Sequence, residues 1–270
     1  CQAMDRIFEL LDEPIDRPEG DNPVLQDGGS PPSIAVRSLN FAYPDEPERT
    51  VLTDVNLDVP ASSVLGIFGR TGSGKSTLLH VLARLYDPPC GTVMVDESDI
   101  TSLERGRWRS RLAVAPQRPF LFSETIAENI ALGAPFDIGA VEQAASDAAL
   151  DADLHVFSDG LETVVGQRGI MLSGGQRQRV ALARALMRRS DLVLLDDVLS
   201  AVDHRTEAQL VASLRDTGSD RDAPPTVVIV SNRISALRHA DNIVVLDEGR
   251  VVDQGTHSEL TSRDGVYRDV

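Results

Sequence analysis

Cysteine is almost missing from this sequence: Cys1 and Cys90 stand alone, with no CxxC spacing and no histidine at ligand distance along the chain. Neither a disulfide framework nor a zinc site is supported, and a reducing compartment fits best. Long apolar runs are missing too. Stretches such as residues 64–68 and 227–230 are strand length, far short of the roughly 20 apolar residues of a membrane-spanning helix. Positive charge is in deficit, since 26 Lys and Arg face 42 Asp and Glu for a net charge of -16, which repels a phosphodiester backbone and argues against nucleic acid. The chain lacks internal repeats, and it opens at Cys1 with neither a basic nor an apolar leader region, so it reads as a piece of something longer. His80, His155, His204, His239 and His257 share no metal-ligand spacing.

What remains is the composition of a soluble globule, 41% hydrophobic and 25% charged over 270 residues, enough chain for a self-sufficient core. Ile7, Phe8, Leu10 and Leu11 sit at near-helical spacing until Pro14, Pro18 and Gly20 break the pattern. Residues 21–33 have linker composition. Residues 1–33 therefore read as the end of an upstream helix plus a linker, and residues 34–270 as the compact domain.

Within that domain, residues 34–41 and 51–59 alternate apolar and polar side chains, the pattern of half-exposed antiparallel strands. Residues 64–68, 192–195, 227–230 and 243–246 are instead continuously apolar, and residues 77–85 carry a helical period, which together predict a parallel sheet covered by helices. The Ala- and Leu-rich stretch over about 120–190 predicts an inserted helical subdomain. The fold class is α/β, a parallel-sheet core with an antiparallel β subdomain ahead of it, and the Gly69 to Ser76 turn after its first apolar strand makes it a P-loop NTPase core.

Gly69, Arg70, Thr71, Gly72, Ser73, Gly74, Lys75 and Ser76 satisfy G-x-x-x-x-G-K-[ST] between an apolar strand and a helix. Glycines let the chain turn so that backbone N–H groups and the helix N-terminus point at a phosphate, Lys75 reaches the β- and γ-oxygens, and Ser76 holds Mg²⁺. Leu192 to Leu195 form a strand ending in Asp196, a carboxylate suited to the same Mg²⁺.

Leu172, Ser173, Gly174, Gly175 and Gln176 resemble the signature of ABC (ATP-binding cassette) ATPases, and the likeness covers nearly the whole chain. The resemblance implies that Tyr43 stacks adenine, that Thr77 completes the nucleotide-binding set, that Gln117 is the glutamine that meets Mg²⁺ and the attacking water, and that Ser200 to Asp203 form the D-loop. Base–aromatic stacking of this kind contributes about 1–3 kcal/mol, a core tyrosine being the lesser alternative. Ser173, Gly174 and Gly175 ahead of a helix make an anion site, or an ordinary helix cap. In the family, two such domains close head to tail and each signature covers the other's ATP. Residues 120–122 and 125–130, with Thr163 to Gly166, are similar to exporters, which implies a transmembrane partner for the apolar patch of Phe120, Leu121 and Phe122, ordinary core packing being the alternative.

Three positions depart from the family pattern. Asp197 stands where a glutamate polarises water, Asn232 where a histidine contacts the γ-phosphate, and Gln167 where exporters often carry Glu. Asp197 is shorter than glutamate by one C–C bond, about 1.5 Å, and displacements of about 1 Å cost about 100-fold in rate. This pattern is similar to the degenerate half of a heterodimeric exporter, one that binds Mg-ATP at an impaired site and lends its signature to an unlike partner at the cytoplasmic face of a membrane. A homodimeric exporter with slow turnover and a nucleotide-gated regulatory module are the competing readings. A DNA-repair ATPase would need a coiled coil or a basic surface. Arg105, Arg107, Arg109 and Arg111 alternate at period two on a helix, which predicts a solvated surface rather than a nucleic-acid stripe.

Overall fold

The computed structural model describes residues 30–166, 169–198, 207, 210, 211, 214 and 223–269. Residues 3–11, Gln167 and Ser200 to Asp203 lie outside the described residues.

Strands β1 (Ile34–Ala42) and β2 (Thr50–Val59) pair antiparallel, with β4 (Val93–Val95) on the other side of β1 and β5 (Ser98–Asp99) beyond it. A second sheet has the order β10-β9-β3-β8-β7-β6, formed by β3 (Val64–Phe68), β6 (Leu112–Ala115), β7 (Leu192–Asp196), β8 (Thr226–Ser231), β9 (Asn242–Asp247) and β10 (Arg250–Gly255). Its pairings are parallel except for β9 with β10 at the edge. The helices are α1 (Lys75–Leu82), α2 (Arg105–Ser110), α3 (Ile126–Ala131), α4 (Ile138–Asp147), α5 (Asp151–Leu154), α6 (Gly174–Met187), α7 (Ile234–Leu237) and α8 (His257–Ser262).

The continuous apolar runs have a simple cause. Side chains along a strand alternate between faces, and both faces of the parallel sheet are covered. Val64, Val193, Leu195, Val227, Ile229, Ile243 and Val245 pack into one core with α3, α4 and α6. Leu65, Ile67, Leu192, Leu194, Val228, Val230, Val244 and Leu246 pack into the other with β1, β2, α1 and Trp108.

The arginine-rich helix departs from the sequence expectation. Trp108 is fully buried on α2 and its indole N–H donates to the Leu82 carbonyl at 3.0 Å. Arg107 and Arg109 are exposed as expected, but Arg105 and Arg111, three residues to either side of that anchor, turn inward: Arg105 pairs with Asp87 at 3.1 Å and Arg111 with Asp191 at 2.7 Å, the two side chains only 13% and 12% exposed. A buried aromatic on a short helix overrides the surface reading that charge alternation suggests, because a guanidinium close to the core needs a carboxylate partner.

Near the C-terminus, Tyr267 is buried, lies edge-on to Phe68 at 5.0 Å and shares a 3.0 Å hydrogen bond with His257 Nδ1. Burial pushes its phenol up to about 12. The folded value lies above the unfolded one of about 10, so the neutral ring favours the fold; its contribution is whole below pH 10 and drains away as pH rises through 12. An absorbance titration should therefore show a tyrosine phase near pH 12, and Tyr267→Phe should abolish that phase. A late phase that is missing in the folded chain, or that survives Tyr267→Phe, would contradict this burial.

Candidate functional site

The C-terminal ends of β3, β6, β7 and β8 converge on one cleft of about 310 Å³, where ligands gather in open α/β sheets. Gly72, Gly74, Lys75 and Ser76 line it from the loop after β3, Gln117 from beyond β6, Asp196 and Asp197 from the end of β7, and Val230 and Asn232 from the end of β8. Tyr43, Glu46 and Arg49 close it from the segment joining β1 to β2, and Val51 from the start of β2.

The loop turns at Gly74, which caps α1 with φ +97° and offers no side-chain cap. A Cβ there would lie 2.8 Å from Leu52 Cδ2 in a conformation that L residues avoid, so glycine is needed on two counts. The first-turn N–H groups of α1 lack intrahelical acceptors and, with the dipole, make a phosphate seat. Lys75 Nζ donates to the Gly69 and Arg70 carbonyls, both at 2.7 Å, and lies 3.4 Å from Ser73 Oγ. Burial pulls the Lys75 pKa below its ordinary value, opposed by Asp197 and Asp196. Arg70 and Thr71 are exposed on the loop, while Ser73 and Thr77 are buried.

Ser76 Oγ donates to Asp196 Oδ1 at 3.0 Å across 120 residues of sequence. Asp196 is 6% exposed, and burial raises its pKa, as does the neighbouring Asp197, against the hydrogen bond from Ser76 and the charges of His80 and Lys75. A desolvated carboxylate beside a hydroxyl is a hard oxygen pair, and it fits Mg²⁺. Among the described residues no cluster of three or more His, Cys, Asp and Glu suits another metal.

Asp197 leaves the strand with φ +51°, a region Asp enters more readily than most residues. Its N–H donates to the Val230 carbonyl at 2.9 Å, and Ser231 Oγ lies 3.5 Å from its Oδ1. Ser231 Oγ also accepts from the Arg233 N–H at 3.0 Å, so the segment carrying exposed Asn232 is tied to Asp197.

Ser173, Gly174, Gly175 and Gln176 do not line this cleft. They open α6 in a capping box, with the Gln176 N–H donating to Ser173 Oγ at 3.2 Å and the Ser173 N–H to Gln176 Oε1 at 2.8 Å. Ser173 and Gly174 are exposed, and the hydroxyl proton of Ser173 is left to donate elsewhere. One link joins the two places: Gln178 Nε2 donates to the Gln117 carbonyl at 3.1 Å. Asp203 lies outside the described residues.

Sequence reading passed over Glu46, Arg49 and His80. Glu46 and Arg49 pair at 3.3 Å in a segment with no motif of its own. His80 was set aside for want of ligand spacing, yet it stands three residues beyond Thr77 on the same helix face, which is the signal that could have found it.

The model of the ABC transporter family matches residues 52–200. The chain is 42% identical over 269 residues to the multidrug resistance-like ATP-binding protein MdlA of Escherichia coli, covering 99% of this chain and 44% of that protein. It is 39% identical to the mouse mitochondrial ATP-binding cassette sub-family B member 10, over 98% of this chain and 37% of that protein. A solved structure of a bacterial Atm1-family ABC exporter with ATP bound superposes with a TM-score of 0.87 at 35% identity, over 98% of this chain and 46% of that one. The chain thus spans less than half the length of these relatives.

Proposed function

The chain belongs to the ABC transporter family, and from that premise we propose that it is the ATP-binding domain of an exporter whose membrane-crossing part lies in sequence upstream of residue 1. No described helix is long and apolar enough to cross a membrane, and the relatives are about twice as long. The observation that carries the reading is the Ser76–Asp196 pair held under a glycine-turned phosphate loop. Tyr43 stacks the base, residues 69–77 take the phosphates, and Ser76, Asp196 and Gln117 would hold Mg²⁺, which would neutralise phosphate charge when bound.

At this site binding is supported and hydrolysis is weakened. Asp197 is shorter than the family's glutamate, and Asn232 cannot take up a proton where the family has histidine. Ser173 to Gln176, away from the chain's own cleft and with Ser173 and Gly174 exposed, serve a second nucleotide-binding domain, and Asp203 is assigned to the same task. That partner is unlike this chain and supplies the missing glutamate and histidine. Phe120 and Phe122, 70% and 45% exposed and packed edge-on at 5.1 Å, form the face toward the transmembrane part. The domain then stands on the cytoplasmic side, where ATP is found.

Lys75→Ala should weaken Mg-ATP binding at least about tenfold in calorimetry, the cost of removing a charged hydrogen-bond donor, with the thermal midpoint nearly unchanged. Unaltered affinity would mean that nucleotide binds elsewhere.

A further inference from the structure

At the base end of the cleft, Tyr43 stands just beyond β1 and is flanked at nearly right angles by Phe41 at 5.3 Å and Tyr86 at 4.9 Å. Edge contacts alone leave a ring free to rock. Its hydroxyl is what fixes it: Tyr43 Oη lies 2.9 Å from Thr77 Oγ1 and 3.4 Å from His80 Nδ1. Thr77 and His80 occupy successive turns of α1, the helix whose first residue is Lys75. The base ring and the phosphate seat are thereby fastened to the same short helix. His80 is half-buried, it is absent from the cleft lining, and its ring is backed by Tyr86 at 6.2 Å.

We propose that His80 is a positioning residue for base recognition: with Thr77 it holds the Tyr43 hydroxyl, and so sets the pose of the stacking ring without touching the nucleotide. This rests on Tyr43 being the base-stacking residue. A histidine serves here because its ring nitrogen reaches the hydroxyl while its body fills the space against Tyr86, and neither partner alone holds the ring in both rotation and tilt.

The test separates base from phosphate. Binding of Mg-ATP and of magnesium tripolyphosphate, which has no base, is measured by calorimetry on the 270-residue chain. His80→Phe keeps a ring but loses the nitrogen; it should weaken Mg-ATP about fivefold and leave tripolyphosphate within about a factor of two. His80→Gln, which restores a polar end, should recover most of the loss. In a Tyr43→Phe background, where the hydroxyl is gone, His80→Phe should have no further effect. A parallel fall in tripolyphosphate affinity, or losses that multiply in the double variant, would overturn the proposal, and His80→Ala replaces His80→Phe in the same cycle if the larger ring does not fold. Tyr43→Ala tells the two readings apart. A loss of about tenfold with His80→Phe silent ends the positioning role alone, whereas unchanged affinity ends the stacking role and this proposal with it.

Discussion

Asp197→Glu combined with Asn232→His should raise the ATPase rate of this chain about 100-fold. The expectation follows from the impaired site proposed above, with its two departures from the family pattern. A carboxylate displaced by about 1 Å costs about 100-fold, and absent proton transfer costs about 10²–10⁴-fold, or roughly 2.7–5.5 kcal/mol of barrier. The two act on the same proton, so they do not simply multiply. Asp197→Glu has to be accepted at φ +51°, where glutamate is less at ease than aspartate, and a small loss in thermal midpoint should accompany the gain. Rates should be followed across protein concentration, because the signature at the opening of α6 lies apart from the chain's own cleft and, in the proposed arrangement, is lent by another molecule. If the unaltered chain already turns over briskly and Asp197→Ala leaves that rate intact, the impaired-site reading fails.

The second large effect is expected far from any motif. Gly249→Ala should destabilise the chain by about 3 kcal/mol or more and weaken Mg-ATP at least about tenfold. Glu248 and Gly249 form the two-residue turn between β9 and β10, with φ +44° and +76°, as a tight hairpin with right-handed twist requires. The Gly249 N–H donates to the Ser73 carbonyl at 3.1 Å, and its own carbonyl accepts from the Thr53 N–H at 2.8 Å. The turn is a clip between the phosphate loop and β2. A Cβ would stand 2.2 Å from the Val51 carbonyl oxygen, which is backbone and cannot swing aside. The left-handed conformation alone costs an L residue about 1–2 kcal/mol, and relieving the clash breaks one hydrogen bond or the other. Glu248→Gly in the same turn should stay within about 1 kcal/mol of the parent. Wild-type affinity and thermal midpoint in Gly249→Ala would show that the clip is dispensable.

Much of this site is legible in the sequence because its chemistry is local. The phosphate loop is eight consecutive residues, and a strand buried on both faces leaves an unbroken apolar run that ends at Asp196. Sheet order is another matter. β7 reaches the loop with β8 standing between it and β3, so nothing in the sequence places Ser76 against Asp196. Strands at the margins were invisible for a different reason. β6 is Leu-Ala-Val-Ala with Val114 39% exposed, and β10 mixes Val with Arg, Asp and Gln along an edge; neither position demands apolar residues on both faces. The helical period of residues 77–85 starts two residues after α1 does, because Lys75 and Ser76 at its entry are polar and carry no apolar period. His80 and Gly249 escaped notice because each acts through backbone or hydroxyl partners brought near only by folding.

The alternation along β7 has a consequence for how damage would spread. Leu194 and Leu195 are neighbours in sequence and equally hidden from water, yet the first leans toward the side that carries Tyr43 and Tyr86 and the second toward the side that carries α6. The sheet is thus a partition between the half that holds Tyr43 and the half that carries the Ser173 capping box at the opening of α6. Adjacent truncations in one strand would loosen opposite halves, and the rim where Asp196 and Asp197 stand is where both disturbances would be felt.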